Sequence, residues 1–504
     1  MATEFSTDAA SVQDAPALVA ESAAARIVES EAERRVWLDT YDWSLFRAGL
    51  LLEQRTRGAD ATLVLSDLAG NPVGRTPVGK RPVSERSLPA GPIADRVLPL
   101  TGIRALLPRL AAEGPTSLLA VLDVEEKTVV RIAVDGPFVA DGVVDAAVTR
   151  VRVEPLRGYD PDATRVAKLL AATPGLIPAG STLFASLAVA GGLKPGAFRS
   201  KPDSKFAADT PAGAAFADTL GQLLGIVRDN LDGTLRELDT EFLHDLRVAV
   251  RRARSVLKAS QGVVTEEWRG HWSGELKWLG DATSTPRDLD VQLLDFGPGL
   301  STEELANVEP FRSLLERWCR RSHSQLNRAL RSQRFTDLLS GWERDLARPG
   351  LGPTTAVPVG RVARDLLSRT WAKVGKMGGA ITPDSPAENL HDLRKRCKEL
   401  RYLLEFFACL YDARTYKALI DELKVLQDNL GGFQDFEAQW FLVRDCATEL
   451  RGTKASIECL LTMGAMGRDL RHRQDAARED FAARWATFHG QDNRKRFADM
   501  VATQ

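Results

Sequence analysis

The sequence predicts a multidomain chain in which an α+β half, up to about residue 195, precedes a half that is almost wholly helical. Short β-branched runs separated by turn residues indicate strands in the first half. From about residue 213 to about residue 490 the apolar residues follow a helical period instead. Residues 196–212, rich in Pro, Gly, Ser and Lys and without periodicity, are typical of a linker between the two halves.

In the first half, residues 1–25 are acidic and Ala-rich, and we expect them to form a flexible tail. The domain that follows, residues 26–195, has strand-like runs at residues 61–72, 117–139 and 145–158. Helical stretches are predicted near Ile103–Glu113 and at Pro161–Ala172. This half contains no histidine, so we do not predict a transition-metal site in it.

The helical half contains an internal repeat with an offset of 147 residues. His-Asp-Leu-Arg begins a helical segment at residues 244–247 and again at residues 391–394. Further matches keep this offset, namely Leu276 to Trp278 with Leu423 to Val425, Asp281 with Asp428, Asp288 with Asp435, and Gln292 with Gln439. A repeat in register over this distance predicts two copies of one helical unit facing each other, residues 213–349 and 359–490, separated by the Pro- and Gly-rich residues 349–358.

Each copy begins with a helix that has a basic face. At about 100° per residue, one arc of the first helix holds His244, Arg247, Arg251, Arg254 and Lys258. The corresponding arc of the second helix holds His391, Arg394, Lys398 and Arg401, and Glu405 replaces Lys258. Such faces are often solvated surfaces neutralised by acidic partners. Their recurrence in register, each beginning with a histidine, favours the alternative that they line one anion-binding groove.

Other charged residues recur with the same offset. Basic residues that could extend the groove are Lys277, Arg317, Arg321, Arg328, Lys424, Arg468 and Arg471. The recurrent acidic residues are Asp281, Asp288, Asp290, Asp428, Asp435 and Glu437. These carboxylates could orient the Arg and Lys side chains or cap helices, or they could bind Mg²⁺ for phosphoryl chemistry, and the spacing leaves both open.

On these motifs the segment 213–490 resembles the CHAD domain, the conserved-histidine α-helical domain. The resemblance implies a pair of pseudo-twofold-related four-helix bundles with a basic central channel that binds inorganic polyphosphate. It also adds Arg252, which helical projection places off the basic arc. The predicted polyphosphate-binding residues are His244, Arg247, Arg251, Arg252, Arg254, Lys258, Lys277, Arg317, Arg321, Arg328, His391, Arg394, Lys398, Arg401, Lys424, Arg468 and Arg471.

The first half resembles a CYTH domain through Trp37–Arg55 and the segment that begins at Val151. That resemblance implies an antiparallel β-tunnel that holds triphosphate and a divalent metal. The defining ExExK motif of the first strand is absent: Glu29, Glu31 and Glu33 alternate as on a strand, but Arg34 and Arg35 follow. We therefore predict a CYTH-like domain that is not catalytic.

The sequence thus predicts a polyphosphate-binding protein without catalytic residues, bound metal or cofactor, which follows polyphosphate to granules in the cytoplasm. The alternative is a metal-dependent triphosphatase or polyphosphate hydrolase that uses Glu31, Glu33 and Glu154. Nucleic acid is disfavoured as a partner, because single-strand binders stack bases on aromatic rings. The first basic arc has no aromatic residue, and only Tyr402 lies near the second.

Composition agrees with a cytoplasmic protein that acts on a polyanion through local charge. The formal net charge is −1, so attraction must come from clustering of cations and not from a global field. Five scattered cysteines favour reduced thiols. No signal peptide, no membrane span and no particular oligomeric state are indicated.

Overall fold

A computed structural model describes residues 4–7, 14–81, 83–84, 87–142, 147–347, 350–453 and 456–502. The chain divides into two compact units, Met1–Arg199 and Ser200–Gln504, and this boundary falls within the predicted linker. The elements of the first unit are β1 (Glu4–Thr7), α1 (Ala15–Ala23), β2 (Arg26–Asp39), α2 (Ser44–Arg47), β3 (Leu50–Arg57), β4 (Asp60–Asp67), β5 (Pro72–Val78), α3 (Pro92–Thr101), β6 (Leu107–Leu122), β7 (Thr128–Ala140), β8 (Ala147–Pro155), α4 (Asp160–Ala171), β9 (Leu176–Pro178) and α5 (Leu183–Ala190).

The elements of the second unit are helices: α6 (Ala212–Asp229), α7 (Leu231–Leu235), α8 (Thr240–Ala259), α9 (Glu266–Ala282), α10 (Ser284–Leu294), α11 (Thr302–Asn307), α12 (Glu309–Leu330), α13 (Gln333–Ala347), α14 (Val359–Gly379), α15 (Ala387–Phe406), the 3₁₀ turn Ala408–Leu410, α16 (Ala413–Arg451), α17 (Ile457–Phe488) and α18 (Gln491–Ala502). The predicted order of a strand-rich half before a helical half is therefore confirmed. Within the described residues, no helix has both the length and the apolar character that a bilayer span requires.

The strands of the first unit form one antiparallel sheet in the order β5-β4-β3-β2-β6-β7-β8-β1-β9. Short connections favour this arrangement, since sequential antiparallel strands need only a tight turn between them. The β3–β4 hairpin, for example, turns through two residues, and Gly58 there has φ +48°. Helices α1 and α4 cover the part of the sheet formed by β1 and β6–β8, with buried Val19 and Val166 in the core.

Two sequence predictions for this unit differ from the structure. Of the expected flexible tail, residues 1–3 and 8–13 lie outside the described residues, but Glu4–Thr7 pairs with β8 and β9, and Phe5 is fully buried. A single buried aromatic anchors this strand, and the Ala-rich composition does not signal it. The helix predicted at Ile103–Glu113 is wrong, because strand β6 begins at Leu107. Pairing with β2 and β7 overrides the helical propensity of its Leu and Ala residues.

The helical unit has a core shared by both copies of the repeat. One buried cluster joins Leu246 and Val250 of α8 to Leu393 and Leu400 of α15. The two copies also exchange backbone hydrogen bonds: Ala212 N donates to Val357 O (2.9 Å), and Val359 N donates to Thr210 O (2.8 Å). Residues 212 and 359 are equivalent in the repeat, as are 210 and 357, so the two bonds are reciprocal.

A second buried cluster lies farther along the same unit. Leu289 of α10 and Phe311 of α12 pack there against Val443 of α16 and Met463 of α17. Helix α10 therefore lies between the first basic helix and this cluster, because α10 also contacts α8. Helix α18 extends the helical region beyond the predicted end at residue 490.

Candidate anion-binding site

The site is formed by α8 and α15, the two helices that begin with the repeated His-Asp-Leu-Arg. Asp239 fixes the start of α8, because its side chain accepts hydrogen bonds from the backbone N–H groups of Glu241 (2.9 Å) and Phe242 (3.2 Å). Next to its basic arc each helix has an apolar arc that is buried, as Leu246 and Val250 illustrate for α8. Burial of these arcs leaves the adjacent basic arcs free to face one another.

Four cations from equivalent positions of the two helices converge, and we call them the central cluster: Arg247 and Arg251 of α8, and Arg394 and Lys398 of α15. Burial, followed by the nearby guanidinium groups of Arg251 and Arg394, lowers the pKa of Lys398 to about 7. An ammonium group loses its proton this readily only where cations crowd it and water is partly excluded. These electrostatic effects, to which Arg247 also contributes, place the four cations near one another.

Two members of the central cluster are held in place by polar partners. Arg247 donates to Ser284 Oγ (2.6 Å) and to the carbonyl oxygen of Gly280 (3.1 Å), with Asp288 at 4.0 Å. Arg394 is fixed in the same way, through Gln434 Oε1 (2.7 Å) and Asp435 (3.2 Å). The recurrent acids Asp288 and Asp435 thus act here as orienting partners, with side chains 71% and 63% exposed at the rim of the cluster.

The other two members lack such partners. In the described part of the chain, no carboxylate lies within 4.0 Å of the charged groups of Arg251 or Lys398. The Arg251 guanidinium instead lies 6.0 Å from the centre of the Tyr402 ring, which offers it a weak cation–π contact. The central cluster therefore contains two cations without a carboxylate partner among the described residues, beside the rim carboxylates Asp288 and Asp435. An anion would relieve their mutual repulsion.

The two histidines lie at the beginning of the basic arcs, and both are half-buried. Burial and the charge of Arg287 lower the pKa of His244, and Arg251 contributes in the same direction. His244 is therefore close enough to the central cluster for the charge of Arg251 to affect its pKa. Arg287 itself donates to Thr240 O (2.9 Å) and to Glu241.

Two predicted ligands bind the opposite copy instead. Arg252, which is buried, pairs with Glu405 (3.2 Å), and Lys258 pairs with Glu399 (2.9 Å). These two pairs are reciprocal, because positions 252 and 399, and positions 258 and 405, are equivalent in the repeat. Both basic residues thus tie α8 to α15.

We expect Arg252→Ala to lower the free energy of unfolding by about 1–3 kcal/mol, because it leaves the partly buried Glu405 without one of its partners. Lys258→Ala is the matched control: Lys258 is 59% exposed, so its loss should cost less than about 1 kcal/mol. Urea denaturation measures both. Neither variant should change affinity for a polyanion. An equal loss of affinity in Arg252→Ala and Arg251→Ala would contradict a purely structural role for Arg252.

The remaining predicted ligands are dispersed over the helical unit. Three pair within their own helix: Lys277 with Asp281 (2.7 Å), Lys424 with Asp421 (3.4 Å) and Arg401 with Glu405 (2.9 Å). Arg254 packs against Gly280, and Arg317 donates to Ser313 O (3.2 Å). The side chains of Arg328 and Arg468 are exposed. Arg471 lies 3.8 Å from the ring centre of Trp440. Arg321 lines a groove of about 490 Å³ together with Asp288, so this groove adjoins the rim of the central cluster.

Sequence reasoning missed the polar residues that hold the central cluster in place, Ser284 and Gln434, and the neighbour of His244, Arg287. One signal was available, because Arg287 and Gln434 immediately precede the recurrent Asp288 and Asp435. The sequence also contains a signal for the two reciprocal ion pairs. The basic residues Arg252 and Lys258 of the first copy are replaced by glutamates in the second copy.

The carboxylates of the sheet unit that could serve an enzyme are mostly engaged by arginines. Glu33 is buried and binds Arg35 (3.0 Å) and Arg57 (2.6 Å). Arg35 lies two residues after Glu33 on the same face of β2, and it also contacts Glu53 (3.5 Å) and Asp135. Glu154 lies 3.2 Å from Arg152, whereas Glu31 is exposed. In this network the buried carboxylates and arginines of the sheet neutralise one another's charge.

Of the six recurrent acids considered as Mg²⁺ ligands, one belongs to a group of potential metal donors. Among the described residues, Asp290, Cys319 and His323 are the group of three whose donor atoms all lie within 4.8 Å of one another. No bound metal was predicted from the sequence, and neither Cys319 nor His323 was among the predicted site residues.

The fold and the site define a duplicated helical domain with a cationic cluster between its copies. The family model of the CHAD domain matches residues 218–444, so the helical unit contains a CHAD domain, as its repeated motif predicts. Over 445 residues the chain is 29% identical to the uncharacterized protein Rv2226 of Mycobacterium tuberculosis, and the match covers 82% of each chain.

Two solved structures are also similar. The CHAD domain from the plant Ricinus communis shares 24% identity at a TM-score of 0.49, over 57% of this chain and 96% of that chain. PptA from Streptomyces chartreusis shares 19% identity at a TM-score of 0.45, over 55% of this chain and 99% of that chain.

Proposed function

We propose that this protein binds inorganic polyphosphate in a groove between α8 and α15. The observation that carries the proposal is the central cluster, in which Arg251 lies near enough to lower the pKa of Lys398 and neither cation has a carboxylate partner among the described residues. Guanidinium groups suit phosphate oxygens, because their planar donors form charge-assisted hydrogen bonds. A linear polyphosphate would supply the negative charge that this site lacks.

The polymer would extend from the central cluster along the groove that contains Arg321. That groove begins at the rim residue Asp288 and has a volume of about 490 Å³, which gives room for several phosphate units. Binding along such a track depends on counterion release, as it does for nucleic-acid backbones. A protein that binds the polymer in this way would accumulate in polyphosphate granules.

The proposal includes an arrangement of the helical unit as two four-helix bundles related by an approximate twofold axis. The reciprocal backbone bonds at residues 210–212 and 357–359 support it, as do the two reciprocal ion pairs between α8 and α15. Exchange of equivalent contacts is the pattern that a twofold relation produces. Such an axis would pass between the equivalent helices, which is where the central cluster lies.

Binding of a defined polyphosphate at several salt concentrations tests the function. Four phosphate contacts predict that log Kd against log salt has a slope of about 3 in magnitude, at roughly 0.7 per contact for a single-stranded polyanion. Single-stranded RNA of similar length is the matched competitor, and we expect it to displace the polyphosphate only at much higher concentration. An affinity that is indifferent to salt, or RNA that competes equally well, would contradict the proposal.

We further propose that the sheet unit is a CYTH-like domain without triphosphatase activity. The support is that Glu33 and Asp135 bind arginines of the sheet, which leaves them poorly placed to hold a divalent metal. The same arginines are neutralised by these carboxylates and so attract a triphosphate weakly.

A further inference from the structure

Helices α10 and α12 bring together three side chains with the chemistry of metal ligands. Asp290 Oδ1 lies 2.8 Å from His323 Nε2 and 3.4 Å from Cys319 Sγ. Cys319 and His323 are four residues apart on α12, so they share one face of that helix. Both are half-buried, whereas Asp290 is only 5% exposed.

The carboxylate of Asp290 is incompletely satisfied by its protein neighbours. His323 and Cys319 both bond to Oδ1, and the buried Oδ2 has no hydrogen-bond partner among the described residues. A buried polar atom without a partner costs about 1–3 kcal/mol, so such atoms usually have a ligand, ion or water. A cation bound to this carboxylate would use the remaining oxygen.

The second copy of the repeat does not keep these side chains. The residues 147 positions further on are Glu437, Met466 and Leu470. Met466 and Leu470 pack against the buried cluster that Phe311 and Val443 share. If Cys319 and His323 served only to pack the helices, apolar residues such as those of the second copy would suffice. The thiol and the imidazole, however, occur in the first copy alone.

We infer that Asp290, Cys319 and His323 form a binding site for a divalent transition metal of zinc type. One thiolate, one imidazole and one carboxylate are all ligands that Zn²⁺ accepts, and three protein ligands leave a fourth tetrahedral position for water. Tetrahedral ligands at about 2.0–2.3 Å from the metal lie roughly 3.3–3.8 Å apart. The sulfur–oxygen distance already has this value, and the nitrogen–oxygen distance must open by about half an ångström.

Binding requires loss of protons and involves no redox step. In the metal-free protein a proton lies in the hydrogen bond between His323 Nε2 and Asp290 Oδ1. The metal would replace this proton and the thiol proton of Cys319, and both would pass to solvent. The bound ion would connect α12 to α10, the helix that orients Arg247 through Ser284 and Asp288.

The test uses the full-length protein, reduced and freed of metal, titrated with Zn²⁺ against a chromogenic chelator and with Co²⁺ by absorption spectroscopy. We expect one equivalent to bind, a cobalt–thiolate charge-transfer band, and a rise in the melting temperature on addition of Zn²⁺. Cys319→Ser should abolish the band and weaken binding at least tenfold. Asp290→Asn and His323→Gln should also weaken binding at least tenfold.

Cys409→Ser is the matched control, because Cys409 is an exposed thiol elsewhere in the same unit. It should leave the stoichiometry, the band and the thermal shift unchanged. A Co²⁺ complex without thiolate absorption, or Zn²⁺ binding that survives Cys319→Ser undiminished, would overturn the proposal. Because Cys319 is half-buried and serine is nearly isosteric, this variant should fold, and circular dichroism checks that it does.

Discussion

Replacing Arg251 and Lys398 together by alanine is expected to weaken polyphosphate binding by about 10²–10⁴-fold. Each cation would make at least one charge-assisted hydrogen bond to phosphate, worth about 1.5–3 kcal/mol, and each 1.4 kcal/mol is tenfold in Kd. The same change should lower the magnitude of the salt slope by about 1.4, at roughly 0.7 for each lost contact. Fluorescence anisotropy with a labelled polyphosphate at several salt concentrations measures both quantities.

In the absence of polyphosphate, the same double substitution should stabilise the folded protein. Lys398 has a folded-state pKa of about 7, below its ordinary value of 10.5, so the protonated ammonium opposes folding. This penalty is full below about pH 7 and disappears as the pH rises toward 10.5. At pH 7 the double variant should therefore melt at a higher temperature than the natural protein while it binds more weakly.

The matched control is Lys277→Ala with Lys424→Ala, which also removes two positive charges. Both lysines pair within their own helices and are 66% and 44% exposed. We expect a change in affinity of less than about threefold, since exposed pairs contribute little. Equal losses of affinity in the two double variants would mean that general charge, and not the central cluster, determines binding.

Polyphosphate binding at pH 8 should take up close to one proton per site. In the free protein Lys398 is mostly neutral at this pH, because its pKa is about 7. A bound polyanion favours the charged ammonium and restores the pKa toward its ordinary value of 10.5. Affinity should consequently fall as the pH rises from 7 toward 10, by up to about tenfold per unit. Calorimetry in two buffers of different ionisation enthalpy gives the number of protons.

Lys398→Arg is the control for this prediction. An arginine keeps the positive charge at every pH used, so binding at pH 8 should persist while proton uptake disappears. Measurements at pH 8 also avoid His244, whose lowered pKa lies below 6.5 and whose protonation would contribute only in more acidic solution. Uptake that is unchanged in Lys398→Arg would assign the proton to another group.

The sequence predicted the strand-rich half, the helical half and the repeat, because the two halves differ in hydrophobic periodicity and the His-Asp-Leu-Arg motif recurs in register. Helical projection placed Arg252 off the basic arc, but it could not show which partner the Arg252 guanidinium contacts. That contact depends on the partner helix, where Glu405 approaches Arg252. The sequence does contain a signal for this contact, because Glu399 and Glu405 of the second copy replace Arg252 and Lys258 of the first.

Other features depend on tertiary contacts that no local pattern encodes. Strand β6 forms where Leu and Ala residues favour a helix, because it lies between β2 and β7. Phe5 is buried by strands whose residues are more than 140 positions away. Asp290 meets Cys319 and His323 only because α10 packs on α12. In each case the determining interaction is distant in sequence.

Our proposal places a phosphate polymer between α8 and α15. A crystal structure of the protein with a short polyphosphate tests this most directly. We expect phosphate oxygens within hydrogen-bond distance of Arg251 and Lys398, with the polymer continuing toward Arg321. Phosphate bound instead to outer-surface residues such as Arg328 or Arg468, with the central cluster unchanged, would contradict it.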